Sequence, residues 1–428
     1  MLTALVIFLA TYVFLAGEKV PFLKLDRPGG AVAGAVAMVL FGVVTPSDVV
    51  ARAFNWDPIL LRLGMMILAS CMARTGLFKW VSWQVLARAG SARSLLTGLV
   101  LISGVLSALL VNDTVCLMCT PLVVALIDDA RLPPWPFVLA LAFGSNAGSV
   151  ATPTGNPQNM LVATLSGMGY VPFTRALLLP GILALITVAV VLHLWYAKEL
   201  AAVGKLAVHV PKPELDTRGA LVCVAVLLLV LVLFVLGTPS AQNHLGGFHP
   251  LGLGMAWTAM GGAALALVFS HGEPREAFAR VDWTLLLFFS ALFVVTFGVA
   301  HTGLTERIHE LLVPVIGTSP WAQVLRFGAF TIGAAQVVSN VPFVLLAGTW
   351  IPKMSDPHLL WLSTAAVSTI AGNLTPVGSV ANLIVLEGAG EKGRIPFAKF
   401  VAVGAACTFL PMLVALGTLA VERAVFGL

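Results

Sequence analysis

Apolar stretches long enough to cross a bilayer recur from one end of this chain to the other, and that pattern rules out a water-soluble core. Ten of them lie near residues 2–16, 29–45, 58–73, 137–166, 176–197, 219–237, 252–270, 284–300, 359–386 and 397–420. Of the 428 residues, 59% are hydrophobic and only 10% are charged. A soluble domain carries roughly a quarter charged residues. The chain therefore reads as an all-α, multi-pass membrane protein. The first stretch has no basic residue before Lys19, which points to a first span and not a cleaved leader.

Two further apolar segments, 95–127 and 324–351, are each about 30 residues, too long for one straight span and too short for two with a loop. Each has a polar break near its middle, Val-Asn-Asp-Thr at 111–114 and Val-Ser-Asn-Val-Pro at 338–342. They read as re-entrant hairpins, whose broken backbone must face protein or a water-filled cavity. The only sizeable polar segment, 198–218, divides the chain near its middle.

The two sides of that divide repeat one another. Trp56 and the Thr-Gly-Leu at 75–77 match Trp283 and the Thr-Gly-Leu at 302–304 at an offset of 227. More specifically, Thr-Pro-Thr-Gly-Asn-Pro-Gln-Asn from Thr152 shares Thr-Pro-x-Gly-x-x-x-Asn with Thr-Pro-Val-Gly-Ser-Val-Ala-Asn from Thr375, at an offset of 223. The breaks at Asn112 and Asn340 also correspond. Each half then has five spans and one hairpin. An odd number of crossings inverts the second half relative to the first, the plan of many secondary transporters, with the site at the midplane between repeats. The expected organisation is a first repeat at 1–197, a linker at 198–218 and a second repeat at 219–428.

Placing the hairpins as re-entrant divides the 24 Lys and Arg residues 17 to 7 between the two faces. The positive-inside rule makes the richer face cytoplasmic, so the linker is cytoplasmic and both termini lie outside. The net charge of +5 follows from those loops and does not call for nucleic acid. The five cysteines all sit in apolar segments, so no disulfide framework is expected.

Polar residues inside the apolar stretches gather in four places: the two hairpin tips, residues 144–159 and residues 371–382. Gly and Pro in the last two break the helix and expose main-chain amides and carbonyls, and half-helix N-termini add partial positive charge. Small residues also let membrane helices pack closely, but packing does not require the repeated Thr-Pro-x-Gly-x-x-x-Asn. The candidate substrate-binding residues are Asn112, Thr114, Ser145, Asn146, Thr152, Gly155, Asn156, Asn159, Ser339, Asn340, Asn373, Thr375, Gly378, Ser379 and Asn382. Asp113 is the only carboxylate at either tip, its counterpart being Val341. It is the first candidate for proton coupling, or a cap on a half-helix, or both. Glu387, five residues past Asn382, is the second candidate, although a carboxylate there also suits the water interface. Arg62 reads as a residue near a span end that snorkels to the interface. Cys116 and Cys119 share a helical face, which would suit a thiophilic substrate but is equally met by two small buried side chains. No second Cys pair or His set completes a metal site, and no cofactor is expected.

These motifs resemble the ion transporter superfamily, which includes arsenite efflux permeases, divalent-anion/sodium symporters and sodium/proton antiporters. The resemblance to the plant silicon efflux type and its bacterial relatives rests on NDTVCLMCTPLVVAL, LPPWPFVLALAFGSNAGSVATPTGNPQN, SNVPFVLL and STIAGNLTPVGSVANLIVLE. It implies a scaffold bundle, a moving bundle that holds hairpins and broken helices, and efflux of arsenite or silicic acid against protons. The sodium-coupled symporters carry Ser-Asn-Thr at both tips. Here the tips read Asn-Asp-Thr and Ser-Asn-Val, which favours a proton at Asp113 over two sodium ions.

The sequence thus points to a secondary transporter in the inner membrane. The first reading is a proton-coupled exporter of a small, uncharged metalloid acid, since no Lys or Arg lies in the four polar motifs. The alternatives are a sodium- or proton-coupled transporter of organic or inorganic anions such as dicarboxylates or citrate, and a monovalent cation/proton antiporter. There is no catalytic constellation and no Gly-x-x-x-x-Gly-Lys-Ser/Thr for a nucleotide, so the chain is not read as an enzyme. The oligomeric state is left open, a homodimer included.

Overall fold

The computed structural model describes residues 2–16, 26–203, 206, 212–237, 254–270 and 272–426, and among them there are helices and no strands. Part of the 198–218 linker, and Lys19, Lys24 and Lys205 of the charge tally, lie outside the described residues. In the first half the main helices are α1 (Leu2–Ala16), α2 (Arg27–Leu40), α3 (Trp56–Arg74), α4 (Leu77–Arg88), α5 (Ala92–Leu109), α6 (Asn112–Asp129), α7 (Pro134–Ser149), α8 (Pro157–Ser166) and α9 (Tyr170–Trp195). In the second they are α10 (Thr217–Leu236), α11 (Met255–Phe269), α12 (Trp283–His301), α13 (Leu304–Ile316), α14 (Pro320–Val338), α15 (Asn340–Trp350), α16 (Pro357–Ala371), α17 (Val380–Gly388) and α18 (Phe397–Phe426). Short helical turns join some of them.

Six described helices are long and apolar enough to cross a membrane: α3, α5, α9, α10, α12 and most of α18. Shorter apolar helices occur in α1, α2 and α11. The two longest expected spans are each split into two short helices, α7–α8 and α16–α17, by a single 3-10 turn at Pro153–Gly155 and Pro376–Gly378. Proline removes a helical N–H at both breaks. Gly155 has no alternative, because a Cβ there would lie 2.2 Å from the Ser149 carbonyl oxygen. The new helices restart on side-chain caps. Asn156 accepts from the Asn159 N–H at 2.8 Å, and Ser379 accepts from the Ala381 N–H at 3.2 Å.

The first hairpin is longer than its apolar run. A capping box between Ser91 and Ser94 starts α5 three residues early, so α5 and α6 are 18 residues each. Each arm is about 27 Å long at 1.5 Å per residue. In the second hairpin α14 ends at Val338 and α15 begins at Asn340. Ser339, between them, has φ +71 and ψ 160, a conformation that non-glycine residues rarely adopt and that marks the tip as strained.

Packing crosses the middle of the chain in matched ways. α3 packs on α11 and α12 on α2; α6 packs on α17 and α15 on α8; α9 packs on α18. Backbone meets backbone closely between α5 and α7, where a Cβ on Gly148 would lie 2.2 Å from the Gly104 Cα. Gly148→Val is therefore expected to lower stability by about 1–3 kcal/mol, since the obstruction is backbone and cannot rotate away. Thermal unfolding of the detergent-solubilised protein checks this, and an unchanged midpoint would mean that the two helices separate freely.

Candidate functional site

The two breaks and the two hairpin tips meet inside the protein. Asn112, Asp113, Thr114, Ser145, Asn146, Thr152, Asn156, Asn159, Asn340, Asn373, Ser379 and Asn382 are all buried, as are Gly155 and Gly378, while Ser339 and Thr375 are half-buried. Buried amides and hydroxyls are costly unless they are paired, and here they pair mainly with one another. Asn146 is the hub. Its Nδ2 donates to Asn373 Oδ1 at 2.9 Å and Asn382 Oδ1 at 3.1 Å, and its Oδ1 accepts from Asn112 Nδ2 and Ser379 Oγ, both at 3.1 Å. One side chain thereby joins the first hairpin tip to both breaks. Ser145 supports the tip from below, donating to the Asn112 carbonyl at 3.4 Å and sharing a 2.8 Å hydroxyl contact with Ser107.

Each break is also held closed by its own terminal Asn. Asn159 Nδ2 donates to the carbonyls of Ser149 and Thr152, both at 3.0 Å. Asn382 Nδ2 donates to the carbonyls of Gly372 at 2.7 Å and Thr375 at 3.1 Å. These are the same bonds at the offset of 223. The cross-links match too. Thr369, the counterpart of Asn146, donates to Asn159 Oδ1 at 3.4 Å and accepts from Asn156 Nδ2 at 3.1 Å.

The largest departure from expectation concerns Arg62. It does not snorkel: it is 1% exposed, and its Nη2 donates to Asp113 Oδ2 at 2.6 Å. The apolar surround explains the pairing. A guanidinium one and a half turns into α3 meets buried side chains on every side, so its charge is met by the carboxylate on the facing hairpin tip. The guanidinium carbon also stacks on the Phe289 ring, 4.7 Å from its centroid. Phe289 is the residue equivalent to Arg62 at the offset of 227. Together with Val341, the counterpart of Asp113, it leaves the second half apolar where the first is charged. Arg62, Phe289, Phe293, Pro157, Met160 and Val341 are among the residues lining a crevice of about 10 Å³.

Asp113 shares a helix face with Leu117 and Pro121, at i, i+4 and i+8. Leu117 and Pro121 line a cavity of about 570 Å³ between α3, α4 and α6, whose polar lining residues are Lys79, Arg280 and Asp282. Glu387, in contrast, is exposed in the last turn of α17, outside the buried cluster. Cys116 and Cys119 are buried, and the Cys116 thiol donates to Ser145 Oγ at 3.2 Å. Among the described residues no group of three or more His, Cys, Asp or Glu could hold a metal ion.

Two contributors went unread in the sequence, and a third, Arg62, was read as snorkelling. Arg62 was visible as the one Arg inside an apolar span, Thr369 as the repeat partner of Asn146. Gln336 of α14 donates to the Ala371 carbonyl at 2.9 Å and accepts from Thr375 Oγ1 at 2.7 Å. No local signal marked it.

Apolar helices around a buried polar cluster built from broken helices define a membrane transporter. A family model described as Citrate transporter (CitMHS) matches residues 12–366, and the chain belongs to that family. It is 30% identical to the Silicon efflux transporter LSI3 of Oryza sativa subsp. japonica, over 88% of each chain. To the Arsenical pump membrane protein of Escherichia coli (strain K12) it is 26% identical, over 92% of each chain. Its fold is similar to that of the Alcanivorax borkumensis YdaH transporter, with a TM-score of 0.54 over 100% of this chain and 97% of that one, at 16% identity. The chain is a transporter and not an enzyme.

Proposed function

We propose that this protein exports a small metalloid acid, arsenite or silicic acid, across the inner membrane in exchange for protons. The observation that carries this reading is the charge balance of the buried site. Its amides and hydroxyls are neutral, and its one cation and one anion neutralise each other across 2.6 Å. Such a site suits an uncharged molecule that both donates and accepts hydrogen bonds, and gives no net attraction to an ion. The silicon and arsenical relatives support the same substrate class. Asp113 is the proton carrier in this reading, and the 570 Å³ cavity lies further along the same face of α6, at Leu117 and Pro121. Glu387, exposed, is a poorer candidate. Proteoliposomes offered arsenite, silicic acid, citrate and sodium in turn, under an imposed pH gradient, test it. Movement of citrate or sodium alone would remove the metalloid reading.

A second reading is favoured by the family description and by the buried guanidinium. A citrate-like anion could bind Arg62 if Asp113 were protonated, which would make proton and anion travel together.

The architecture proposed for this cycle is two inverted repeats, 1–197 and 219–428, joined by the linker 198–218. The equivalent hydrogen bonds of Asn159 and Asn382 and the matched helix contacts support it. A hairpin returns the chain to the face it left, so long arms do not alter the parity of crossings. Both termini then face outward. Taking the buried Arg62 out of the loop tally leaves the charge asymmetry stronger. All five native cysteines are buried, so Lys212→Cys supplies the one exposed thiol among the described residues. An impermeant thiol reagent is expected to label it only from the cytoplasmic face. Labelling in intact cells from outside would reverse the orientation.

A further inference from the structure

We propose that Arg62 is the group that reads the substrate, taking a hydroxyl oxygen of the metalloid acid on its free Nη1 while Nη2 stays on Asp113. The inference rests on the metalloid-export reading and adds to it the atom that links substrate to proton. Only Nη2 of the guanidinium is engaged, by Asp113 Oδ2. Nε and Nη1 are buried without a partner in a side chain that is 1% exposed. Buried donors of a cation are among the costliest groups to leave unmet. Asn340 Oδ1, at the second hairpin tip, is likewise buried and unpartnered. Its neighbour Val341 and Arg62 line the same 10 Å³ crevice, which has room for about one oxygen atom.

A molecule with several hydroxyls answers both needs. One oxygen accepts from Arg62, and hydroxyl protons are donated to Asn340 Oδ1 and to the Asp113 carboxylate. Arginine, with a planar fork of donors and no acceptor, suits an oxygen ligand and repels a cation. Phe289, stacked on the guanidinium, holds the fork in place.

The linkage then has a definite sign. A substrate that hydrogen-bonds to both members of the pair stabilises Arg62 and Asp113 in their charged forms. Protonated Asp113 must release its proton to water before that complex forms, so proton and substrate exclude one another, which is antiport. An anionic substrate would do the reverse, displacing Asp113 from Arg62 and drawing a proton onto it. The other charged or titratable groups near Asp113 are Asp282, which caps α12, and the Cys116 thiol one turn along α6. Lys79 of α4 and Arg280 line the adjoining cavity, and Glu387 of α17 is exposed. The second half has Phe289 and Val341 at the equivalent places, so the ion pair has no counterpart there.

The test is calorimetric titration of the full-length, detergent-solubilised protein with arsenite and with silicic acid, between about pH 5 and 8, in buffers of different ionisation enthalpy to count protons. The wild type is expected to bind more tightly as pH rises and to release up to one proton per substrate. Arg62→Lys keeps the charge but loses the fork, and is expected to bind at least about tenfold more weakly. The paired variant Arg62→Gln with Asp113→Asn keeps the shape without charge and is expected to bind with no proton exchange. Wild-type affinity in Arg62→Lys, or proton release persisting in the paired variant, overturns the inference and leaves metalloid export standing. A wild type that takes up protons on binding citrate, and binds neither metalloid acid, overturns both.

Discussion

Asp113→Asn is expected to reduce pH-gradient-driven transport to the level of protein-free liposomes and to lower stability by about 3–5 kcal/mol. The two effects have separate causes. Asn cannot titrate, so the proton has no carrier at the first hairpin tip. Asn also leaves Arg62 as a buried cation whose ion-pair partner has gone. Adding Arg62→Gln separates the two. The paired variant removes both charges, so thermal stability should recover while pH-gradient-driven transport does not. Transport by Asp113→Asn at the wild-type rate, with an unchanged dependence on the gradient, would reduce the pair to a structural clasp between α3 and α6. Recovery of gradient-driven transport in the paired variant would show that the proton is carried elsewhere.

The second large effect is expected from Asn146→Ala. The Asn146 side chain makes hydrogen bonds to Asn112, Asn373, Ser379 and Asn382, which come from the first hairpin tip and the second break. Truncation leaves several buried polar groups without these partners, at about 1–3 kcal/mol each. A total loss of about 3 kcal/mol or more is expected, together with loss of transport, because among the described residues it is Asn146 that bridges Asn112 to Asn382. Thermal unfolding and proteoliposome flux measure the two losses. A variant that unfolds within a degree of wild type and still transports would mean that water replaces the amide and that the cluster is not a single unit. Thr369→Val, at the equivalent position, should show the smaller form of the same defect, since Thr369 makes fewer and longer bonds.

Ser339 sits at φ +71 where the first tip has Val111 at φ −83. The two tips are equivalent in sequence position but not in backbone or charge. The first carries the ion pair, and at the second Asn340 Oδ1 is buried without a hydrogen-bond partner. This division between a charged and an uncharged tip is what the metalloid reading requires, with proton chemistry on one side and hydroxyl recognition shared by both.

Much of this was legible in the residues themselves because helix breaks are local events. Proline, glycine and a capping Asn or Ser act within a few residues, so Thr-Pro-x-Gly-x-x-x-Asn declares its own break wherever it stands. Apolar runs declare membrane helices for the same reason, since the bilayer is a uniform solvent and needs no knowledge of neighbours. The pairing of Asn159 with Asn382 was readable from repetition alone. Arg62 was not. A lone arginine six residues into an apolar span has two physical outcomes, snorkelling or pairing, and sequence distance cannot choose between them. Asp113 lies 51 residues away, and the choice was made by packing that sets α3 against the first hairpin tip. Gln336 was hidden likewise, being an ordinary helical residue until α14 turned it toward the second break. The sequence by itself determined where the chain breaks and which residues are equivalent. Only the tertiary structure decided which charges meet, because a buried charge takes its meaning from the one group placed within hydrogen-bonding distance of it.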